Sequence, residues 1–499
     1  MISRMRNWIF LVAFGLACGG GGGGPEDAAG DTTRDTMGID ARGIDVPGVD
    51  TNFDANIERE PTTDIGDEGQ EVWVFMQSHL HTTGFHDCAN NPTSPAPPPD
   101  GQCYTAEGIL GFLQEALING ASDMIITDHN NIDAWFDPAF APLANIDRTA
   151  YATPLRGTEW SSGDGHMTLM WPTEVVASNA EAIARRFIYA AGNQEPVIDQ
   201  ADYAGVIAMV QEAGGIAIIN HPELAIHVFP EDSLGADGVE VGIPPNPLDD
   251  FSGGAGLQSS KEARDWWQRR LVSGQRLAGT AGADHHHGGG DIPGLEAPTF
   301  GIAVNYVRID PVFPRPASVT DALSDPVGTI RAHGDAIVDA VRRGHIMVVE
   351  SDTAPRVFIG VDLDGDGRFH DARAGDCILP ERLVGLDQVR LRLRIVGSSP
   401  GSGDHFNLLA WTHQSDDTET WRTEVDYTTG FDGGAEYEVD PEDPFAIFLD
   451  VPVDASERQF IRFVLERDVF GPVNDTEAVT NPIYFGDWDK ECDGSAPLY

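Results

Sequence analysis

Along the first two thirds of this 499-residue chain, short apolar runs repeatedly end in histidine or a carboxylate. Val72-Trp-Val-Phe-Met76 is followed by His79-Leu-His81, Met124-Ile-Ile126 by Asp128-His129, Ile216-Ala-Ile-Ile219 by Asn220-His221-Pro222, and Leu277-Ala-Gly279 by Asp284-His285-His286. Short apolar runs of this kind read as strands, and Gly238-Val-Glu-Val241 adds another. Helical periodicity lies between several of them. It covers residues 106–119 before Gly120, 202–213 before Gly214-Gly215, 260–272, and 336–343 before Gly344. Repeated strand-helix units predict a parallel sheet, open or rolled into a barrel. Barrels gather residues distant in sequence at the C-terminal ends of their strands, where these histidines and carboxylates fall, so the pattern favours the barrel.

Imidazole and carboxylate together suit Zn, Mn or Fe, and such cations lower the pKa of a bound water from about 15.7 toward about 7, supplying hydroxide at neutral pH. An isolated His-x-His at a strand end is more often structural or solvated, and Asn220-His221-Pro222 alone reads as a turn. Their joint occurrence with Glu159 and His166 reads instead as a metal site. Hydroxide made in this way attacks phosphorus or carbonyl carbon without a serine nucleophile.

The stretches Ser78-His-Leu-His-Thr82, Ile125-Ile-Thr-Asp-His-Asn130, Gly157-Thr-Glu-Trp160, Gly165-His166, Asn220-His-Pro222 and Gly282-Ala-Asp-His-His286 resemble, in order, the motifs of the PHP (polymerase and histidinol phosphatase) superfamily of metal-dependent hydrolases. With the Gly-His element soon after the glutamate and the Asn481-Pro-Ile-Tyr-Phe485 ending, the chain looks most like the CehA/McbA, carbaryl-hydrolase-like branch. The resemblance covers residues 71–352. It implies a distorted (β/α)7 barrel holding two or three divalent metals. Carried over by position, His79, His81, Glu159 and Asp284 would hold one metal, Glu159, His166 and His221 a second, and His129 with His286 a third. Glu159 would bridge two of them. A further ligand expected after the first His-x-His falls on His86 or Asp87. Glu159 and Asp284 are then the carboxylates of the catalytic centre, with Asp128 orienting a ligand.

The N-terminus sets an expected compartment. Arg4 and Arg6 precede the apolar run Trp8-Ile-Phe-Leu-Val-Ala-Phe14, the layout of a cleaved export signal and too short for a permanent membrane span. Gly15-Leu-Ala-Cys18 followed by six glycines resembles a bacterial lipoprotein cleavage site, with Leu16 two positions before the cysteine where the usual pattern has three. Cys18 would carry the lipid and anchor the chain in the cell envelope. Residues 19–70, acidic and almost free of aromatic side chains, cannot bury enough apolar surface to offset ordering entropy and read as a disordered tether. A formal net charge of −49 argues against nucleic acid as a partner and leaves a small-molecule substrate.

Cys88 and Cys103 flank a proline-rich loop, and Cys377 and Cys492 remain. Four cysteines allow three pairings; nearest-neighbour pairing is expected in an oxidising compartment. Asp362-Leu-Asp-Gly-Asp-Gly367 opens like a calcium loop through Asp362, Asp364 and Asp366, but Arg373 stands where the bidentate glutamate belongs, and Asp371 or Asp376 would have to replace it. An acidic surface hairpin is the plainer alternative. Residues 353–499 then alternate apolar and polar in segments such as Gln388-Val-Arg-Leu-Arg-Leu-Arg-Ile395, predicting an all-β sandwich. Two functions follow: a metal-dependent hydrolase cleaving a phosphoester or a carbamate, ester or amide bond, or a non-catalytic metal- and calcium-binding surface module.

Overall fold

The structure, a computed structural model, describes residues 72–81, 113, 114, 116, 117, 121–127, 152–161, 165–171, 200–224, 227–229, 232–242, 260–282, 285, 286, 302–309, 326–351, 354–397, 405–413, 419–426, 428–434, 436–467, 475–488 and 492. The export signal with Cys18, the acidic segment, the Cys88 and Cys103 loop, His86, Asp87, Asp128, His129 and Asp284 lie outside them.

Strand β1 (Val72–His81) runs parallel to β2 (Asp123–Ile126), and β2 parallel to β3 (Thr153–Ser161). Only residues 162–165 then connect to β4 (His166–Met170), too few for a crossover, so β4 returns antiparallel to β3. Next come β5 (Ile216–Asn220), antiparallel to β4, then β6 (Gly238–Gly242) and β7 (Ala278–Ala281), each parallel to the strand before it. On the other side of β1, the short β8 (His285–His286) is parallel to its end. There β9 (Ile302–Ile309) is antiparallel to its start, and β10 (Ile346–Ser351) is antiparallel to β9. The fold is therefore mixed α/β and strand-rich, with few helices among the described residues and one large mixed sheet. The expected all-parallel sheet fails at β4, β9 and β10, and no ladder among the described residues joins β7 itself back to β1.

Three long helices cover the sheet: α1 (Gln200–Glu212), α2 (Ser260–Val272) and α3 (Pro326–Arg343). The first two match the expected spans within two residues. The third starts ten residues earlier than its apolar periodicity, with Pro326 opening it where a missing N–H has no cost. Of the expected 106–119 helix, Leu113, Gln114, Ala116 and Leu117 are described and helical. Gly214 closes α1 at φ 80°, the N–H groups of Ala213, Gly214 and Gly215 cap carbonyls of its last turn, and Arg342 Nη2 donates to the Gly214 and Gly215 carbonyls at 2.7 and 3.2 Å.

Every residue of β2, β4, β5 and β7 is buried, the polar Asp123, His166, Thr168, Asn220 and Thr280 included. Tyr203, Val206 and Val210 of α1 and Trp267 and Leu271 of α2 pack with Trp160, Leu169, Ile219 and Val239. Ile337 and Val341 of α3 pack with Met76, Ile125 and Ile218 in a separate cluster. Each such side chain contributes about 1.5–3 kcal/mol by leaving water. Two asparagine side chains reach β7 where backbone pairing does not. Asn305 on β9 accepts from Ala281 N and donates to the Ala281 carbonyl, and Asn481 does the same for Gly279 while also donating to the Ile346 carbonyl.

Towards the C-terminus, the alternating segments form the strands their period predicts. Arg356–Asp362, Gln388–Val396, Asp443–Pro452 and Glu438–Asp440 make a four-stranded antiparallel sheet. Asp475–Thr480 pairs with β10 and with Gln459–Arg467, which continues into His405–Thr412, so the large sheet runs on into this region. Leu391 and Leu393 from the first sheet share one core with Leu408, Phe463 and Leu465 from the second. Cys377 and Cys492 are bonded, 115 residues apart, as nearest-neighbour pairing anticipates.

Beside this disulfide, Asp376 accepts from Arg308 Nη2 at 2.8 Å and lies 2.7 Å from His345 Nε2. Burial, helped by Arg308, holds the His345 imidazole below its usual range. For Asp376 burial pushes upward, but Arg308 and His345 overcome it and hold the carboxyl far below the usual carboxylate range. A depressed carboxyl contributes stability that is present above the unfolded value of about 4 and is lost as pH falls towards the folded value. Asp376→Ala should therefore cost about 3 kcal/mol at pH 7 by removing the carboxylate from a largely buried pair, and the gap to the unsubstituted protein should narrow at pH 3, read by denaturant unfolding. Equal stability at pH 7 would contradict this.

Candidate metal centre

The site forms where β1, β3, β4, β5 and β6 present polar side chains among fully buried neighbours. Near the end of β1 the pairing with β2 slips between Gln77 and Leu80, and His79 takes φ 60° there. An irregularity of this kind re-aims a side chain, and it buries His79 completely. On β3, alternation puts Glu159 into the site, while Trp160 meets Tyr203 edge to face at 5.1 Å. The hairpin return sets His166 beside Glu159. At the end of β5, Asn220 is followed by His221 at φ 28°, directly before Pro222. A residue preceding proline favours extended backbone, so this turn, like the one at His79, is strained by about 1–3 kcal/mol and needs its surroundings to hold it.

One oxygen is the hub. Glu159 Oε1 lies 3.0 Å from His79 Nε2, 2.9 Å from His166 Nδ1 and 3.5 Å from His221 Nε2, and it accepts from Asn220 Nδ2 at 2.9 Å. Asn220 is itself fixed, since its Oδ1 accepts from Thr168 N at 2.9 Å. Glu159 and His79 are 0% exposed, His221 5% and His166 8%, so the cluster is buried. His79, Glu159 and His221 each offer a ligand atom within 4.8 Å of the others. Three imidazoles and a carboxylate converging in the interior are the donor set that borderline cations such as Zn, Mn and Fe prefer, so the residues present fit a metal.

Of the other expected ligands, the backbone brings two together. His81 and His286 are direct partners in the β1–β8 register, at the same end of the sheet as His79. His86, His129 and Asp284, with Asp128, fall outside the described residues. In the acidic loop, Asp362, Asp364 and Asp371 approach within 4.8 Å of one another, while Asp366 Oδ1 accepts from Arg368 N and Asp376 belongs to the Arg308 and His345 network. Asp362 spends its two oxygens on Gly365 N and Gly367 N, and Asp371 pairs with Arg382 at 2.6 Å. The loop is thus closed by its own backbone and side-chain bonds.

One residue of the site has no counterpart in the sequence reading. Glu240, on β6, is 2% exposed; its Oε1 lies 2.7 Å from His79 Nδ1, and its Oε2 accepts from His221 N at 3.0 Å. The only sequence signal was an acidic residue inside an apolar strand run.

No protein-family model matches the chain, and no curated protein matches it. One solved structure, a nucleoside hydrolase-related hypothetical protein from Saccharophagus degradans associated with carbohydrate metabolism, is 11% identical and is aligned over 82% of this chain and 99% of its own, with a TM-score of 0.21. A score that low carries no argument about fold or function.

If the cluster is a metal centre, adding Zn2+ or Mn2+ to chelator-treated protein should raise its melting temperature, by an amount equivalent to about 2.7 kcal/mol at a hundredfold excess over Kd. Glu159→Ala should abolish the shift. A shift of equal size in that variant would place the binding elsewhere.

Proposed function

We propose that the chain is a PHP-type, CehA/McbA-like metal-dependent hydrolase, exported and lipid-anchored at Cys18, that cleaves a phosphoester or a carbamate, ester or amide bond of a small molecule. The observation that carries this reading is the convergence of His79, His166 and His221 on one oxygen of buried Glu159. The order of the sequence motifs supports it, as does the placement of His81 against His286. A distorted seven-stranded barrel over β1–β7 belongs to the same reading: residues 278–281 pair with β6, residues 285 and 286 pair with β1, and the Asn305 and Asn481 amides reach β7. So does a C-terminal β-sandwich, supported by the core that the two C-terminal sheets share.

When bound, the cations would supply Lewis acidity and activate water at neutral pH. The chain's own residues set up the rest. Glu159, centred among the imidazoles, would be a ligand shared by two cations, with His79, His81 and Asp284 serving one and His166 and His221 the other. Asn220 directs the Glu159 carboxylate by donating to Oε1. Burial of the cluster excludes bulk water, which strengthens each electrostatic contact with a developing oxyanion. The −49 formal charge disfavours polyanionic substrates and favours neutral or singly charged ones.

The purified soluble protein, loaded with Mn2+ or Zn2+, should hydrolyse an aryl phosphate, aryl carbamate or aryl ester. His81→Ala and Asp284→Ala should each lower that rate by on the order of 100-fold or more, since each removes a proposed ligand. Unchanged rates in both variants would rule out this site.

A further inference from the structure

A metal centre is only as good as the groups that aim its ligands, and here the aiming converges on one side chain. Glu240 sits between the two histidines whose backbones are left-handed, His79 at φ 60° and His221 at φ 28°. With Oε1 it meets His79 Nδ1 at 2.7 Å, and with Oε2 it accepts the His221 backbone N–H at 3.0 Å. Both histidines then turn Nε2 towards Glu159, at 3.0 and 3.5 Å. The sheet makes room for this carboxylate. The β6–β7 pairing slips between Glu240 and Gly242, and Gly282, just past β7, lets the side chain pass: a Cβ at Gly282 would stand 1.9 Å from Glu240 Oε1.

We propose that Glu240 is the positioning residue of the centre, fixing His79 with its proton on Nδ1 and its Nε2 turned towards Glu159 as the ligand atom, and pinning the turn that presents His221. The inference rests on the metal-centre reading and adds to it the group that orients its ligands. A carboxylate is needed, not merely a polar side chain. It supplies two acceptor oxygens for two N–H donors, whereas glutamine keeps one acceptor and replaces the other with a donor. A carboxylate behind a ligating imidazole also raises ligand basicity, and loss of such a partner costs about 10–100-fold in metal affinity.

Glu240→Gln should therefore bind Zn2+ or Cd2+ about 10–100-fold more weakly than the unsubstituted protein by calorimetric titration. Equal affinity in a folded variant would overturn the proposal. A second measurement needs no substitution. In 15N-histidine-labelled protein loaded with 113Cd2+, the His79 signals should show cadmium coupling at Nε2 and a proton on Nδ1; cadmium on Nδ1, or a proton on Nε2, would overturn the assignment even if the variant failed to fold. These readouts separate the two claims. Protein that holds cadmium through His79 Nε2 but hydrolyses none of the aryl substrates sinks the hydrolase reading and leaves Glu240 in its role. An active protein with the other tautomer does the reverse.

Discussion

A carboxylate oxygen with three imidazole nitrogens within 3.5 Å, buried in the protein, is an arrangement that the interior does not tolerate without compensation. Buried polar groups must be paired, and buried charge must be balanced, or the cost runs to several kcal/mol. The features around Glu159 answer that demand. Asn220 donates to the hub oxygen and is held by Thr168; Glu240 takes the far side of His79; β4 is brought back antiparallel so that His166 can reach. A divalent cation would complete the balance by replacing repulsion among donors with shared coordination.

The scaffold is built so that this cluster cannot relax. Strands β2, β4, β5 and β7 are buried throughout, and helices α1, α2 and α3 pack into two clusters of aromatic and branched side chains. Close-packed surroundings resist small displacements, which is what strained backbone at His79 and His221 needs if it is to persist. The Arg308, His345 and Asp376 network and the Cys377–Cys492 bond do the same for the C-terminal region.

What could be read in advance follows from range. Apolar runs such as residues 216–219 mark strands because they are short and bounded by turn residues, and the 260–272 helix is legible from its period alone. Glu159, His166 and His221 could be named from motif order, although their meeting at one oxygen could not. Strand β4 went unread because five residues beside Gly165 give too little pattern, and its direction came from the length of a turn. The start of α3 was hidden by Gly328 and Gly334, which break the apolar period without breaking the helix. Glu240 was invisible for the plainest reason: its partner His79 is 161 residues away, and no local rule marks a carboxylate for a contact that only the folded sheet creates.

The most direct test is crystallographic. Crystals grown with Zn2+ and measured on the high-energy side of the zinc edge should give anomalous peaks beside Glu159, one on the side of His79 and one on the side of His166 and His221, with zinc–ligand distances of about 2.0–2.2 Å. An anomalous map with no peak in that cluster, in protein whose His79, Glu159 and His221 keep the arrangement described above, would show that the convergence is structural and that the chemistry lies elsewhere.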